Sequence, residues 1–424
     1  MKNRRTNFYF SSISPYESIY LLLHSLRSLL WLKKSFASNS FEQEVKCLTN
    51  AKSIITTSSA RSGLFILLKA LGINSDSEVV ITGFTCSAVS EPILFIGAKP
   101  VYVDIDIHNY SILPKLAADA ITTRTKAIIV QHTFGLPAHI DELVCLAKNK
   151  GLYVIEDCAL ALGSQLNGKW LGSAGDACIF SFELSKTLTA GWGGMVKVNY
   201  DAKLAERVKF IRDNSGRLNR FTASRRLFQA GLSGLLYHPI FSAYTGKLIA
   251  FLFKIGLFIP SATKCDGIQT PADYLALPDD AQWNVLSWQL ARLDKILNAQ
   301  HQAVLCYQKV LNKHGFKSII PGDMDGIRLI RFPLLVKDPQ RFMEKFAERG
   351  IEVGRWFSQP VSSNNRDMSS YGYKNGTCPN AEFIAAHIVN LPLHNRMSKN
   401  DIKVVVDCLD MYLRDHHEEY ICID

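Results

Sequence analysis

The residues best able to do chemistry lie between positions 151 and 194. Asp157 follows the apolar run LYVIE, and Ser181 and Lys186 follow the apolar run ACIF within SFELSK. Singly, the lysine would be interpreted as a solvated side chain and the aspartate as a strand-end carboxylate. Together they suit pyridoxal phosphate, because a lysine amine forms a Schiff base with an aldehyde and a carboxylate keeps a pyridine nitrogen protonated. A serine hydroxyl and glycine-rich backbone would bind the phosphate.

A second anion-binding element is indicated by TSSARSGLFILLKALG, residues 57–72. Small residues and serines precede an apolar helix, so free amides near Arg61 and Ser62 can receive a phosphate at the helix N-terminus. Taken alone, this pattern is typical of a capped helix. Its occurrence in the same chain as Lys186 favours the phosphate interpretation.

These residues must be positioned by an alternation of strands and helices between about 50 and 200. Nearly continuous apolar runs such as EVVITGF, KAIIVQ and LYVIED alternate with helical patterns such as SGLFILLKALGI and IDELVCLAKNKG. This order predicts an α/β fold, a mostly parallel sheet covered by helices on both faces. Ligands bind at the carboxyl ends of strands in such sheets, where Asp157 and SFELSK fall.

The remainder of the chain divides by composition. Residues 280–315 have heptad-like apolar spacing and predict one long helix. Mixed strand and helix patterns after position 316 predict a smaller α+β domain. We therefore expect four segments: an N-terminal basic amphipathic arm at 1–44, a large cofactor-binding α/β domain at 45–262 with an apolar helical insert near 225–262, a helical bridge at 263–315, and a small C-terminal α+β domain at 316–424.

Composition narrows the class of protein. The chain has 424 residues and 10 cysteines, with no C-x-x-C pair, so neither a metal site nor a disulfide framework is indicated. Reduced thiols favour a cytoplasmic protein. A net charge of +10 favours acidic partners such as phosphorylated substrates or anionic lipid. Nucleic acid is not expected as a partner, because lysines and arginines form no clustered stripe.

Two apolar segments raise the question of membrane contact. Residues 18–36 mix leucines with basic residues, and the uncharged part of 227–260 approaches the ~20 residues that a span requires. Pro239 and His238 interrupt the second segment, and Lys247 and Lys254 follow. These interruptions favour core helices or an interfacial anchor over a spanning helix, so peripheral membrane association is an open possibility.

The order of these motifs resembles the DegT/DnrJ/StrS family of pyridoxal-phosphate sugar aminotransferases, which have fold type I. The resemblance covers residues 45–215 closely and 280–415 loosely, whereas the arm and the apolar insert lie outside it. It is carried by the segments SARSGLFILLKALGINSDSEVVI, IGAKPVYVDID, ITTRTKAIIVQHTFGLPAHIDEL, GLYVIEDCALALGSQLNGKWLGSAGDACIFSFELSKTLTAGWGGMV and CPNAEFIAAHIVNLPLHNRMSKNDI.

The resemblance implies a role for each matching residue. Lys186 would be the Schiff-base lysine and would move the proton, Asp157 would contact the pyridine nitrogen, and Ser181 would contact the phosphate with the backbone around Arg61 and Ser62. It further implies transfer of an amino group, usually from glutamate, to a keto group on a nucleotide-linked sugar for polysaccharide or glycan synthesis. The family is usually a homodimer whose sites are completed by the neighbouring subunit.

Departures from the family pattern leave alternatives open. Cys86 stands where the family commonly has an aromatic residue against the cofactor ring, although Phe84 is nearby, and Leu160 stands where Gln or His is usual. An Asn-x-Arg element that often crosses the dimer is replaced by YLALPDDAQ. The alternatives are a catalytically impaired, membrane-associated scaffold and another reaction such as sugar dehydration. Retention of Lys186 favours transamination.

Four further residues each have two interpretations. His132 could lie near the cofactor or be a structural, hydrogen-bonded histidine, which we favour. His394 could approach substrate or lie at the surface. Arg355 could bind a carboxylate or phosphate, or be a solvated loop side chain. Trp192 could shape the pocket or simply pack at a turn.

Overall fold

The computed structural model describes residues 6, 12–30, 37–237, 248–249, 251–259, 270–271, 273–317, 326–363 and 367–421. Thirteen strands occur in this part of the chain: β1 Ser53–Thr57, β2 Glu78–Thr82, β3 Thr85–Cys86, β4 Lys99–Val103, β5 Thr125–Gln131, β6 Tyr153–Asp157, β7 Gln165–Leu166, β8 Lys169–Trp170, β9 Ala177–Ser181, β10 Gly194–Val198, β11 Phe332–Leu335, β12 Val361–Ser362 and β13 Ile388–Leu391.

The α-helices in the described residues are α1 Pro15–Leu30, α2 Ala37–Thr49, α3 Ala60–Ala70, α4 Ser87–Phe95, α5 Pro114–Ala120, α6 Ile140–Lys150, α7 Ala202–Asp213, α8 Arg220–Leu236, α9 Asp280–Leu290, α10 Leu293–Lys313, α11 Pro339–Ala347, α12 Pro379–His387 and α13 Lys399–Asp415. Three short 3₁₀ turns supplement them, at Thr133–Gly135, Met368–Tyr371 and His417–Glu419.

The largest sheet has seven strands in the order β1-β10-β9-β6-β5-β2-β4. Strands β4, β2, β5, β6 and β9 are parallel, whereas β10 is antiparallel to both β9 and β1. The five parallel strands are almost wholly buried and apolar, as expected when helices cover both faces of a sheet. The predicted α/β class with a mostly parallel sheet is confirmed.

Helix α1 packs against the rest of the molecule along α8. Its buried face carries small and polar side chains, including Ser18, Ser25 and Ser28, and its closest approach to α8 is at Gly231 and Gly234. A Cβ at Gly231 would lie 2.8 Å from the carbonyl oxygen of Ser18, so only glycine allows this spacing. The helix predicted within the N-terminal arm is therefore present, and it packs against α8.

Residues 280–315 differ from the single helix predicted. Helix α9 ends at Leu290 and α10 begins at Leu293, because Arg292 has non-helical dihedral angles of φ −120° and ψ 22°. Arg292 also lies 2.6 Å from Glu17 of α1, so the break joins three helices. The continuous apolar spacing conceals this break, since both helices bury the same kind of face.

The C-terminal part contains the antiparallel pair β11–β13 with α11, α12 and α13. The boundaries of the four predicted segments remain a prediction. Of the two apolar segments, residues 31–36, 238–247, 250 and 260 lie outside the described residues. Among the helices described, none combines the length and the hydropathy needed to cross a membrane.

Candidate active site

Three polar residues lie at the carboxyl ends of adjacent strands. Gln131 ends β5, Asp157 ends β6 and Ser181 ends β9, and these strands are neighbours in the sheet. Their parallel register pairs Gln131 with Asp157 directly. The strands therefore present an amide, a carboxylate and a hydroxyl at one edge, as the sequence pattern indicated for Asp157 and Ser181.

Lys186 lies in a tight turn directly after β9. Its amide donates a hydrogen bond to the carbonyl of Glu183 at 3.2 Å, and Ser185 has a φ of +68°, a left-handed conformation that is uncommon for serine. Behind the turn, Thr189 and Gln289 exchange two bonds, at 2.8 and 2.9 Å. Gln289 belongs to α9, so a helix from a distant part of the chain holds the strained backbone of this turn in place.

The N-terminal segment also supports this turn. Ser12 donates its hydroxyl to the carbonyl of Thr187 at 2.9 Å, and Glu17 accepts a bond from Gln289 at 3.3 Å. Glu17 is fully buried and pairs with Arg292. Helix α1 therefore positions the lysine turn through Glu17 and Gln289, a role that sequence analysis did not foresee.

A cavity of about 380 Å³ opens over these strand ends. This volume lies in the range typical of small-molecule sites. Five of the six site residues proposed from the sequence line it: Arg61, Cys86, Asp157, Ser181 and Lys186. Its remaining walls include Ala60, Gln131, Leu160, Glu183, Tyr237, Phe253, Trp356 and Phe357.

Burial shifts the two central ionisable groups towards their uncharged forms. It raises the pKa of Asp157, although a hydrogen bond from the amide of Ala159 and the charge of Lys186 oppose this change. It lowers the pKa of Lys186, although Glu183 and Asp157 oppose that change. A buried carboxylate of this kind gains from a cationic N–H donor. A buried amine of this kind loses its proton more readily than an exposed lysine, so more of it is present as the unprotonated nucleophile.

The N-terminus of α3 reaches the same cavity through Ala60 and Arg61. A Cβ at Gly194 would overlap the backbone of Ser59 and Ala60, so glycine allows β10 and the helix start to meet. Ser62 does not line the cavity, unlike the other proposed residues. Its amide donates to the Ser59 hydroxyl at 3.2 Å and its own hydroxyl accepts from the Ser59 amide at 2.8 Å, because the two residues form a capping box.

The Arg61 side chain is buried in the cavity wall between two carboxylates. Its guanidinium nitrogens lie 3.3 Å from Glu183 and 3.6 Å from Glu91. The sequence pattern pointed only to the backbone at this position. The two carboxylates compensate the charge of the guanidinium and hold it in the cavity wall, so the anion-binding capacity of this corner comes from the free amides at the start of α3.

An aromatic residue that the sequence analysis missed lies over the lysine. The Lys186 Nζ atom is 5.7 Å from the ring centroid of Trp356, and the Arg331 guanidinium is 4.8 Å from the same ring. Phe84 is fully buried against Phe134 and Phe357 and does not line the cavity. The ring wall is therefore supplied by Trp356, which lies 170 positions further along the chain than Lys186 and next to the candidate Arg355.

His132 and Glu156 form a buried structural pair behind the cavity. They are 2.9 Å apart, the other histidine nitrogen accepts from the amide of Ala138, and Glu156 also accepts from the amides of Gly172, Ala174 and Gly175. Burial opposes ionisation of Glu156, but these bonds hold its pKa below the usual value. The structural interpretation of His132 is confirmed. Cys158 lies close enough to complete a three-residue cluster, but the carboxylate is already saturated with donors.

Three other candidate residues lie outside the cavity lining. Arg355 donates to the carbonyls of Ala385, Ala386 and Ile388 and so caps the end of α12. His394 is buried and accepts from the amide of Arg396, so the surface interpretation is wrong. Trp192 is buried with the Arg226 guanidinium 5.5 Å from its ring, in agreement with a packing role.

The mostly parallel sheet places a carboxylate and the lysine turn beyond the ends of two adjacent strands, as expected of an α/β protein that binds a ligand at the carboxyl edge of its sheet. The family model for the DegT/DnrJ/EryC1/StrS aminotransferases matches residues 17–235 and 279–410, which is more than half of the chain. The chain belongs to this family, and the predicted family and enzyme class are confirmed. The family match begins at residue 17, inside the N-terminal arm that was expected to lie outside the resemblance. This agrees with the packing of α1 against α8.

Similar proteins agree with this assignment. A UDP-N-acetyl-3-dehydro-α-D-glucosamine 3-aminotransferase from Acidithiobacillus ferrooxidans is 43% identical over 176 residues, 41% of this chain and 47% of that protein. The spore coat polysaccharide biosynthesis protein SpsC from Bacillus subtilis is 26% identical over 395 residues, 89% of this chain and 90% of that protein.

Solved structures show the same fold. The aminotransferase TlmJ from Streptoalloteichus hindustanus superposes with a TM-score of 0.75 and 21% identity, covering 97% of this chain and 100% of the other. An aminotransferase from Psychrobacter cryohalolentis gives a TM-score of 0.72 and 20% identity, covering 94% of this chain and 97% of the other.

Proposed function

We propose that this protein is a pyridoxal-phosphate-dependent aminotransferase acting on a nucleotide-linked keto sugar. The observation that carries the proposal is that Lys186 and Asp157 line one cavity and interact electrostatically within it. The alternative of a catalytically impaired scaffold gains no support from the cavity, since both ionisable groups face it.

The residues present fit the cofactor. Asp157 is a buried carboxylate whose raised pKa would return towards normal beside a protonated ring nitrogen. The start of α3 offers backbone amides near Arg61 for a phosphate, and Ser181 offers a hydroxyl at the end of β9. Trp356, Leu160 and Cys86 offer apolar surface for a flat ring.

Bound pyridoxal phosphate supplies an aldehyde that accepts the amino group and a ring that withdraws electrons from the substrate carbon. Asp157 would hold a proton on the ring nitrogen. Lys186 Nζ would hold the cofactor and, as a free amine, would move a proton to and from the substrate carbon; burial lowers the pKa of this amine, which favours the unprotonated form. Trp356 lies over the amine and would form part of the cavity wall beside it.

The substrates follow from the family and its members. We expect glutamate as the amino donor and a nucleotide-linked keto sugar as the acceptor, in polysaccharide or glycan synthesis, since relatives named for a UDP-sugar 3-aminotransferase and for coat polysaccharide synthesis are similar in sequence. A homodimer with sites shared between subunits is likewise expected for members of this family.

The cofactor assignment is tested with purified protein and Lys186→Ala. The wild type should take up pyridoxal phosphate and show a visible absorbance band that borohydride abolishes, whereas Lys186→Ala should show none. Lys203→Ala, which changes an exposed lysine of α7, is the matched control and should behave as wild type. A colourless wild type that takes up no added cofactor would contradict the proposal and favour the scaffold.

The substrate assignment is tested by half-reactions. Glutamate should convert the loaded enzyme to its aminated form, and a panel of UDP- and TDP-linked keto sugars should restore the original spectrum. Return of the spectrum with release of a dehydrated sugar instead of an amino sugar would indicate the dehydration alternative. Product analysis by mass spectrometry separates these outcomes.

We further propose cytoplasmic placement with peripheral contact to anionic membrane through α1. The cysteines in the described residues are all free, which is typical of a reducing compartment. The outward face of α1 carries Tyr16, Ile19, Leu23, Leu26 and Leu30, between 54% and 79% exposed. This spacing places one apolar stripe on a helix followed by the basic sequence WLKK.

A further inference from the structure

Two aromatic residues of the cavity wall come from a part of the chain that the family model does not match. Tyr237 and Phe253 line the same cavity as Lys186. Both fall between the matched ranges, which end at residue 235 and resume at residue 279. The apolar insert of this chain therefore contributes side chains to the candidate active site.

The described part of the insert is fastened to α8 by side-chain bonds to its backbone. Arg225 donates to the carbonyls of Gly256 and Leu257, the latter at 3.1 Å. One helical turn later, the Gln229 amide donates to the carbonyl of Ile259 at 2.9 Å and accepts from its N–H at 2.7 Å. Residues 256–259 are thereby held in one register against the helix.

The same segment then fixes the Phe253 ring. Phe258 is 3% exposed and meets Phe253 edge-to-face, with 5.6 Å between ring centroids. Leu252 is also buried, whereas Phe253 is 41% exposed. A ring that is half-exposed and lines a cavity lies at its mouth, so it contacts whatever part of a substrate extends outwards from Lys186.

We propose that Tyr237 and Phe253 form a stacking site for the nucleobase of a nucleoside-diphosphate sugar. The proposal rests on the proposed function, which places the keto sugar beside Lys186 and so directs the nucleotide towards the mouth. Aromatic side chains bind the π-face of any base, and the half-exposed Phe253 ring at the mouth is free to make this contact with the whole of its apolar face. The insert thereby helps to select the acceptor substrate.

The test measures binding of UDP, TDP and GDP to protein saturated with pyridoxal phosphate, by isothermal titration calorimetry, with inorganic pyrophosphate as the probe that lacks a base. Wild type should bind at least one nucleotide on the order of tenfold more tightly than pyrophosphate, and Phe253→Ala should lose most of that advantage. Phe253→Trp should restore it.

Phe251→Ala is the matched control, because Phe251 belongs to the same segment, is 55% exposed and does not line the cavity. It should bind nucleotides as wild type does. Equal affinity of wild type for nucleotides and pyrophosphate, unchanged affinity in Phe253→Ala, or equal losses in both alanine variants would each overturn the proposal. The visible absorbance of the same samples reports separately on the proposed function, since nucleotide binding does not require the lysine chemistry.

Discussion

Lys186 and Asp157 illustrate how single residues acquire reactivity from their surroundings. Burial is the largest influence on both and shifts each towards its neutral form. Paired pKa shifts of this kind are common at ligand sites, where a protein gives up some stability to hold ionisable groups in a geometry suited to the ligand. The effect of pH on stability therefore offers a test that does not depend on catalysis.

The cofactor-free wild type should gain stability relative to Lys186→Met as pH rises from about 7 to 10. The folded protein releases the Lys186 proton at a lower pH than the unfolded chain, so the unfolded chain binds more protons in this window and stability rises with pH. Urea unfolding at both pH values measures the difference, and a gap that stays constant or widens in favour of the variant would contradict the shift.

Glu156 should be a stability residue and not a catalytic one. Glu156→Gln leaves at least one of its backbone donors without an acceptor, and we expect a loss of about 2–4 kcal/mol in the free energy of unfolding. Asp141→Asn in the exposed first turn of α6 is the control and should change stability little. A Glu156→Gln variant as stable as wild type would show that the buried network is unimportant.

At the level of elements, the contact between α1 and α8 supports the lysine turn from behind. Gly234 allows this contact, since an added Cβ would overlap the Ser18 hydroxyl and lie 2.8 Å from Ile13. Ser12 and Glu17, which reach the turn, are carried by the same segment. Displacing α1 should therefore affect the cofactor site as well as stability.

Gly234→Ala should destabilise the protein by about 1–3 kcal/mol and weaken uptake of pyridoxal phosphate. Adding Ser18→Ala removes one of the overlapping atoms and should recover part of both losses, which a double-mutant cycle can measure. Equal stability of Gly234→Ala and wild type, or losses that simply add in the double variant, would show that the two helices do not meet as described.

The whole molecule combines a net charge of +10 with an α1 whose outward face is more apolar than its buried face. Leu23 and Leu26 are 61% and 64% exposed, whereas Ser25 and Ser28 are buried. Exposure of these leucines to water is unfavourable, so we expect a partner surface to cover the apolar stripe of α1.

Leu23→Ser combined with Leu26→Ser should reduce flotation with vesicles of phosphatidylcholine and phosphatidylglycerol by on the order of tenfold. Point substitutions are preferable to removing residues 1–44, because Glu17 and Leu21 are buried in the fold. Phe210→Ser with Leu305→Ser changes two exposed apolar residues elsewhere and is the control. Unchanged flotation of the variant would contradict membrane contact through this stripe. A loss of self-association in ultracentrifugation, without vesicle binding by either protein, would instead indicate that a second copy of the chain covers it.

The sequence by itself determined the alternation of strands and helices and the strand-end positions of Asp157, Ser181 and Lys186. These features depend on local apolar spacing and on the rule that parallel strands share one carboxyl edge. Only the tertiary structure decided that Ser62 lies outside the cavity lining and that Arg355 caps the distant helix α12.

The same holds for contacts between distant parts of the chain. Trp356 over Lys186, Gln289 behind Thr189 and Phe253 at the cavity mouth are each far from the lysine in sequence. No periodicity within a short window encodes such pairs, because they arise only when the sheet, α1, α9 and the insert pack together. The local pattern therefore specified the candidate site residues, and long-range packing specified what surrounds them.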